Sequence, residues 1–473
     1  MFDAKALRIP LDAAMRVFPR ATGRVASRLD RSVRRRYWRR VNACRAFIEE
    51  SEKWPLRRLQ EYQLHRLQAV VAHAYENVPY YRERFDELEL RPADIRRLED
   101  IRLLPTLQKR DLQEHLDTLV ASNFSSRHRR YSTTGGSTGI PVGFFQDRAR
   151  TSAYEWAFMS SQWRRVGYRD GDRTAILRGT VTGKRLFAFD ALRNAVVLSS
   201  YHLTDNRMPA YLETLRRFEP KYIQAYPSSI TMLARFMRVR DEAAIDGVRA
   251  ILCGSENLYD WQREEIENAF QCRIFSWYGQ SEVVCLAGEC EYSRALHIFP
   301  QYGITELIDQ NGEPIEEPGR IGEIVGTGFL TESMPLIRYR TADVATYAPG
   351  MCSECGRPYK LFEKIDGRLQ EFIVTGTGRH ISMAAINMHS PVFDNVQQFR
   401  FYQDAPGAVV LRLVPKTTYG ESDAERIRTE LAPKLGDDLV LTLEQVDEIR
   451  PSPRGKHRFL DQKLTTAFGD HEQ

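Results

Sequence analysis

From about residue 170 onward, short apolar runs alternate with amphipathic stretches, and this alternation constrains the fold more than any other feature of the chain. "TAILRG" (174–179), "KYIQAY" (221–226), "VRAILCGSE" (248–256) and "CRIFSWYGQSE" (272–282) read as strands. "YLETLRRF" (211–218), "SSITMLARFMRV" (228–239) and "YDWQREEIENAF" (259–270) read as helices between them. Strand and helix in turn predict a parallel sheet covered by helices, the α/β class. In such sheets ligands sit beyond the carboxyl ends of the strands. The loops "GSE" (254–256) and "YGQSE" (278–282) are therefore predicted to open on one crevice.

The flanks read differently. In "RLQEYQLHRLQAVVAHAYENV" (58–78), Leu64, Leu67, Val71 and Ala74 recur at helical spacing, and Pro79 stops the helix. Short helical pieces broken by Pro105 follow. Beyond 300 the texture turns to hairpins, with an Asn311-Gly312 turn in "YGITELIDQNGEPI". "QQFRFYQDAPGAVVLRLVP" (397–415) reads as a hairpin and "ESDAERIRTELAPKL" (421–435) as a helix. A domain boundary is placed near 368 to 371. The expected layout is a basic arm (1–57), a large domain with helix-covered sheets and a helical leader (58–368), and a small α+β domain (369–473).

A chain of 473 residues is long enough for more than one domain. No apolar run reaches the roughly 18 residues of a membrane-spanning helix. The N-terminus lacks the apolar stretch of a signal peptide. Seven cysteines, an odd number in a long chain, argue against a disulfide framework and for a reducing, cytoplasmic setting. The net charge of +5 is uneven: residues 1–60 hold 16 basic against 6 acidic side chains. The cluster "RSVRRRYWRR" (31–40) is either a solvated helix face or a contact for an anionic partner, such as a membrane surface. A nucleic-acid partner is not expected, and no cleavage point marks a transit peptide.

"YSTTGGSTGIP" (131–141) is bare of bulk. As a phosphate loop it would bring backbone N–H groups and hydroxyls to an anion. It is not a Walker loop, because Ile140 stands where lysine is required. Gly135-Gly136-Ser137-Thr138-Gly139 matches G-x-S-x-G, but a nucleophile elbow needs a buried strand before it and a helix after it. Polar "RHRRYSTT" precedes it and strand-like "PVGFF" follows, which disfavours a hydrolase. Alone, the segment is equally a plain flexible turn.

"CSEC" (352–355) followed by Gly356 has the spacing of a zinc knuckle, and "CEYSRALH" adds Cys290 and His297. Cys290, His297, Cys352 and Cys355 would complete a closed site of three sulfurs and one nitrogen that braces the sheet edge; the alternative is four reduced residues without metal. Cys285 is a spare candidate, while Cys44, Cys253 and Cys272 read as packing residues.

Taken together, six motifs resemble those of the adenylate-forming acyl-ligase superfamily, in its phenylacetate–CoA ligase-like branch and the subgroup linked to capsular polysaccharide biosynthesis. The resemblance runs from about 60 to 465. It implies that Thr133, Thr134, Gly135, Gly136, Ser137, Thr138 and Gly139 close over the ATP phosphates. It sets Gly254, Ser255 and Glu256 near adenine. From "YGQSE" it implies base stacking by Tyr278, a nucleotide contact through Gly279, Gln280 and Ser281, and magnesium binding by Glu282. "YRTAD" supplies Asp343 for the ribose hydroxyls, with Ala342 where many relatives carry glycine. "DGR" supplies Arg368, and "SPRGKHRFL" the catalytic Lys456. The hinge falls on Gln370 and Glu371, where many members carry an acid at the first position.

Each residue type suits its role. A carboxylate accepts two hydrogen bonds, as a 2′,3′-diol requires. Carboxylate and phosphate oxygens are magnesium ligands. A lysine between an attacking carboxylate and the α-phosphate stabilises developing charge. The implied reaction takes a carboxylic acid and MgATP to an acyl-adenylate and pyrophosphate, then passes the acyl group to coenzyme A, a carrier protein, an amine or a sugar amine. Tyr201, His202 and Tyr226 are assigned to the acid pocket and suggest an aromatic or hydroxylated acid. Two other functions fit the motifs: an adenylyltransferase that keeps AMP on its product, and a scaffold with decayed catalysis in a membrane-associated pathway. Intact Glu282, Asp343 and Lys456 argue against decay.

Overall fold

The computed structural model describes residues 8–9, 31–133, 142–178, 186–191, 193–368, 372–378, 380–386, 391–450 and 458–464. Along the chain come helices α1 (Arg31–Ser51), α2 (Leu56–Asn77) and α3 (Pro79–Glu87), strands β1 (Arg129–Thr133) and β2 (Gly143–Asp147), and helix α4 (Arg150–Arg164). The alternating region holds β3 (Thr174–Arg178), β4 (Ala195–Ser199), α5 (Met208–Phe218), β5 (Tyr222–Ala225), α6 (Pro227–Arg240), β6 (Ala250–Cys253), α7 (Asp260–Phe270) and β7 (Arg273–Gly279). Then follow β8 (Leu286–Gly288), β9 (Leu296–Ile298), β10 (Gly303–Ile308), β11 (Ile321–Gly328), β12 (Tyr339–Tyr347) and β13 (Leu361–Arg368). The last part comprises β14 (Phe372–Val374), β15 (His380–Ser382), β16 (Val396–Gln403), β17 (Ala408–Pro415), α8 (Glu421–Leu435), β18 (Val440–Gln445) and β19 (Leu460–Gln462).

These elements form two compact units. The first comprises Met1–Thr174, Ala188–Val196 and Phe275–Lys364; the second comprises Ala175–Phe187, Val197–Ile274 and Ile365–Gln473.

In the first unit, α2 buries Leu59, Leu67, Val70, Val71 and Ala74. Each large aliphatic side chain contributes about 1.5–3 kcal/mol when taken from water. Leu67, Val70, Val71 and Ala74 pack in one core with Phe85, Ile101, Leu107, Phe144, Val284 and Ile337. Val78 is extended and ends α2, and Pro79 opens α3 at its first turn, where a missing N–H costs nothing. Tyr81, buried in this core, donates to the Pro335 carbonyl at 3.1 Å and accepts the Ile337 amide at 3.0 Å. The sheet runs β7-β8-β9-β13-β12-β11-β10. Its pairings, such as β11 with β12, are antiparallel. Helix α1 lays Val41 against Ala153 and Ala157 of α4. Buried Arg45 ties the two by donating to Ser160 Oγ (2.9 Å) and to Asp170 Oδ1 (2.9 Å).

The expected Asn311-Gly312 turn is present. Ile308 makes a single bridge to Pro314, and the full partner of β10 is β11. Asp309 explains this: its carboxylate takes the amides of Asn311 and Glu313, committing local donors to the turn.

In the second unit β3, β5 and β6 lie side by side, with β5 and β6 parallel from Tyr222↔Ala250 to Ala225↔Cys253. Helices α5, α6 and α7 intervene in sequence, as the alternation predicts. Each ends on a left-handed residue, Glu219, Asp241 or Gln271. The C-terminal sheet is ordered β18-β17-β16-β19. Its core joins Phe401, Leu411 and Leu413 to Ile427, Leu431 and Leu435 of α8, with Tyr259 and Trp261 completing it. Phe459 meets the rings of Tyr259 and Trp261 edge-on at 5.8 and 6.0 Å.

Candidate functional site

Strand β7 delivers Tyr278 to the end of the sheet, and the chain leaves it at Gly279. The Tyr278 hydroxyl donates to Asp343 Oδ2 at 2.8 Å. The Gln280 side-chain amide donates to the same hydroxyl oxygen, and Gln280 Oε1 accepts the Cys285 amide at 3.2 Å. Burial, then the adjacent Asp343 charge, pushes the Tyr278 phenol well above its ordinary range, so it stays a donor. Its ring meets Phe362 edge-on at 6.3 Å. The Ser281 carbonyl accepts from Gln146 Nε2 (2.9 Å), and Glu282 Oε1 accepts from the Tyr339 hydroxyl (3.3 Å). Asp343 itself is 7% exposed. Its amide donates to Thr341 Oγ1 at 3.1 Å. Sequence reasoning misses Gln146, and it reaches Tyr339 only as the first residue of "YRTAD" without a role; both hold residues of the "YGQSE" motif from other strands.

Some of the backbone strain adjoins assigned site residues, while Glu89, Asn194 and Arg338 carry it elsewhere. Nine non-glycine residues among the described ones have positive φ, and Glu219, Asp241 and Gln271 are ordinary helix ends. Ser255 (φ 70°), Val283 (φ 64°) and Ala342 (φ 60°) each adjoin an acid assigned to the nucleotide: Glu256, Glu282 and Asp343. For a β-branched residue such as Val283 this region is a true outlier. Such strain persists where the surroundings over-determine it, and it gathers at functional sites. The surroundings here are glycines. A Cβ at Gly326 would stand 2.7 Å from Val284 Cγ2, and one at Gly328 would stand 2.8 Å from the Val283 carbonyl. Strand β11 is bare so that the segment after Glu282 can press against it. At Ala342 the amide is pinned to Glu323 Oε1 (3.1 Å), and Arg340 holds the other carboxylate oxygen at 2.8 and 2.6 Å.

In the second unit Gly254, Ser255 and Glu256 follow β6. Ser255 Oγ accepts from Arg178 Nη2 at 2.8 Å, and Glu256 Oε2 accepts the Ser228 amide at 3.0 Å. Tyr226 precedes α6 as its N-cap residue and is buried. His202 ends a 3-10 turn after β4.

The four candidate zinc ligands converge in the first unit. Ligand atoms of Cys290, His297, Cys352 and Cys355 all lie within 4.8 Å of one another. Cys290 Sγ is 4.0 Å from Cys352 Sγ, and His297 Nε2 is 3.2 Å from Cys355 Sγ. His297 Nδ1 faces the Ala295 carbonyl at 3.0 Å, which turns the Nε2 lone pair toward the thiols. Burial, then the Arg165 charge, lowers His297 to about 4, so it is neutral at pH 7, the ligand form. The Tyr292 and Ser293 amides donate to Cys290 Sγ at 3.4 and 3.1 Å, and Gly356 has φ 67° directly after Cys355. Three soft sulfurs and one imidazole at these separations fit a tetrahedral zinc ion. Cys285 lies outside the group and accepts from Thr305 Oγ1. Cys44 sits in α1 and Cys253 in β6, while Cys272 lies in the bend before β7.

Thr133 ends β1, which pairs antiparallel with β2 up to Thr133↔Gly143. A strand on both sides of the glycine loop removes the nucleophile-elbow geometry. Thr134, Gly135, Gly136, Ser137, Thr138, Gly139, Gln370, Glu371 and Lys456 lie outside the described residues, as do the side chains of Arg368 and Tyr201. Residues 1–7 and 10–30 of the basic arm do so too. Among the described residues no helix is long and apolar enough to cross a membrane.

Residues 373–463 match the family described as the CapK C-terminal domain. Over 348 residues the chain is 29% identical to phenylacetate-coenzyme A ligase of Pseudomonas putida, covering 70% of this chain and 76% of that one. It is 23% identical over 424 residues to protein CapK of Staphylococcus aureus, covering 85% and 88%. A crystal structure of 2-hydroxyisobutyryl-CoA ligase in the postadenylation state, in complex with R3-HIB-AMP, matches with TM-score 0.70 at 20% identity, over 87% of this chain and 91% of that one. An open conformation of that ligase with 2-HIB-AMP and CoA matches with TM-score 0.56 at the same identity, over 85% and 91%. The structural likeness establishes the fold, and the sequence likeness the kinship: the chain is a homologue of the phenylacetate-coenzyme A ligases and CapK, built on the fold of the adenylate-forming CoA ligases.

Proposed function

We propose that this chain is an AMP-forming acid–thiol ligase. It converts a carboxylic acid and ATP to an acyl-adenylate and pyrophosphate, then transfers the acyl group to a thiol, coenzyme A first among the candidates and a carrier protein or amine after it. The observation that carries this reading is the Tyr278–Asp343 hydrogen bond. It joins two motifs of the ligase branch and fixes the carboxylate assigned to the ribose diol. Kinship with phenylacetate-coenzyme A ligases supports the same reading.

In this reading Thr133 to Gly139 and Gly254 to Glu256 contact the nucleotide, as do Tyr278 to Ser281, Asp343 and Arg368. Glu282, an oxygen donor oriented by Tyr339, would hold magnesium, whose charge would screen the polyphosphate. Lys456 would stand between the attacking carboxylate and the α-phosphate. Tyr201, His202 and Tyr226 belong to the acid pocket, and Gln370 and Glu371 absorb the backbone change as the small C-terminal domain alters its place between the two steps. Zinc held by the three cysteines and His297 would brace the sheet edge and take no part in catalysis.

The basic arm is proposed to meet an anionic membrane surface from the cytoplasm. Helix α1 turns Val41 inward and exposes Arg35, Arg36 and Arg39. Deleting residues 1–40 should abolish sedimentation with phosphatidylglycerol vesicles; unchanged sedimentation overturns the contact.

The deciding experiment is ATP–pyrophosphate exchange across a panel of carboxylic acids, followed by AMP release with and without coenzyme A. Exchange with at least one acid and coenzyme A-dependent AMP release support the ligase. AMP incorporated into the product favours the adenylyltransferase, and no exchange with any acid favours the scaffold.

A further inference from the structure

Within the second unit, the carboxyl ends of β3, β5 and β6 carry a polar cluster in which the side chain of Arg178 has no role from the motifs. Arg178 closes β3, Tyr226 follows β5 and Ser255-Glu256 follow β6; these strands are neighbours. The Tyr226 amide donates to the Leu177 carbonyl at 3.4 Å, drawing the first two ends together. Arg178 Nη2 donates to Ser255 Oγ at 2.8 Å, and its guanidinium carbon lies 5.0 Å from the centre of the Tyr226 ring. Glu256 Oε2 takes the amide of Ser228 in the first turn of α6. A cation, a carboxylate, an aromatic face and a helix N-terminus thus meet at one place.

Two buried hydroxyls sit in that helix turn. Ser228 is 4% and Ser229 0% exposed, and neither Oγ has a hydrogen-bond partner among the described residues. Helical hydroxyls usually return to the carbonyl four residues back, as Thr231 does to Pro227 at 2.7 Å. Four residues before Ser228 and Ser229 stand Gln224 and Ala225 of β5, whose carbonyls belong to the sheet. A buried hydroxyl left unsatisfied is destabilising, and two at one helix start call for a polar guest.

We propose that Arg178, Ser228, Ser229 and Glu256 form the subsite that recognises a hydroxyl group on the acid to be activated. The proposal rests on the ligase reading and names its substrate class: hydroxy acids, phenolic or aliphatic. A hydroxyl offers one donor and two acceptor lone pairs. It suits a cluster that presents a carboxylate acceptor, guanidinium donors and hydroxyls together. An unsubstituted hydrocarbon tail would strip water from these groups and return nothing. A second carboxylate would face Glu256. The αL turn at Ser255 aims its hydroxyl at Arg178, so the Gly254–Glu256 segment has its main chain to offer the nucleotide.

The test is ATP–pyrophosphate exchange by the full chain on matched acids: 4-hydroxyphenylacetate with phenylacetate, 3-hydroxybutyrate with butyrate, and succinate. The hydroxylated member of at least one pair should exceed its partner by at least about a hundredfold in kcat/KM, the scale of a site built to bond a substrate hydroxyl. Arg178→Met should narrow that ratio to under about tenfold, raising KM for the acid more than for ATP. Ser228→Ala, which removes a single oxygen, should lower kcat/KM for the hydroxylated acid more than for its partner and serves if the arginine variant fails to fold. Equal exchange within each pair overturns the subsite and leaves the ligase reading standing. Preference for succinate over every hydroxy acid also overturns it. Exchange with no acid overturns the ligase reading and the subsite with it.

Discussion

Tyr278 and Asp343, 65 residues apart in sequence, are joined by a 2.8 Å hydrogen bond in which the phenol donates to the carboxylate. Gln280 and Thr341 lock the two ends of this link, one through the phenol oxygen and the other through the Asp343 amide. A carboxylate held in one orientation presents its remaining acceptor capacity in a fixed direction, which a ribose diol needs. In the proposed reading the half-buried ring of Tyr278 is left for the base, while its hydroxyl is committed to Asp343.

Tyr278→Phe keeps the ring and deletes that donor. A hydrogen bond to a charged group contributes about 1.5–3 kcal/mol, so the variant should raise KM for ATP roughly tenfold to a hundredfold. KM for the acid should move far less. Pyrophosphate-exchange kinetics with ATP and acid varied separately decide the matter; equal rises in both constants would show general loosening of the fold.

Ala342 occupies the left-handed region at φ 60°, directly before Asp343. A side chain there costs about 1–2 kcal/mol, part of which glycine returns as greater freedom of the unfolded chain. Ala342→Gly should therefore stabilise the protein by up to about 1 kcal/mol, seen as a higher urea midpoint at unchanged slope. A lower midpoint would show that the methyl group packs better than its φ suggests.

How much of this is readable from sequence differs by region. The strands and helices between 174 and 282 follow from periodicity because each buries a regular face. The group of three cysteines and His297 is legible from knuckle spacing, although ligands some sixty residues apart meet through the pairing of β8, β9 and β13, which local pattern does not encode. Gln146 and Arg178 escape notice because nothing in their own neighbourhood distinguishes an orienting side chain from an ordinary strand residue, and Tyr339, although it opens "YRTAD", shows its contact with Glu282 only in the fold. At Asn311-Gly312 turn chemistry predicts the reversal and is silent on where pairing resumes.

Arg357, two residues past Cys355, grips Glu52 at 2.8 Å and Glu291 at 2.7 Å. The knuckle is thereby tied to the end of α1. Purified protein should carry about one zinc per chain, and Cys355→Ala should lose it, as a structural site needs all four ligands. Stripping the metal should also speed hydrogen exchange at the C-terminal turn of α1. Less than about a tenth of an equivalent in folded protein would dismiss the metal.

Glu155 on α4 accepts the Tyr302 hydroxyl, and burial pushes its carboxyl up to about 7. The unfolded chain gives up this proton near 4.5, whereas the folded one keeps it to about 7. Between these values the native state binds more protons, so stability falls as pH rises through that window and then levels off. Glu155→Gln keeps a carbonyl acceptor for Tyr302 and removes the titration. The variant should exceed the parent in thermal midpoint at pH 8 and lose this part of the slope between pH 4.5 and 7. Parallel curves for the two proteins would show that Glu155 is ionised throughout.

Lys456 tests the division of labour between the two half-reactions. If it stabilises charge as the acid meets the α-phosphate, Lys456→Ala should lower adenylate formation by a hundredfold to about a thousandfold, the cost of removing one preorganised contact. Thioester formation from supplied acyl-AMP and coenzyme A involves no attack on phosphorus and should keep most of its rate. Rapid-quench assays on each half-reaction separate the outcomes. Equal losses in both would mean that the lysine is needed throughout, and the exchange of domain positions about Gln370 and Glu371 would then lose its main support.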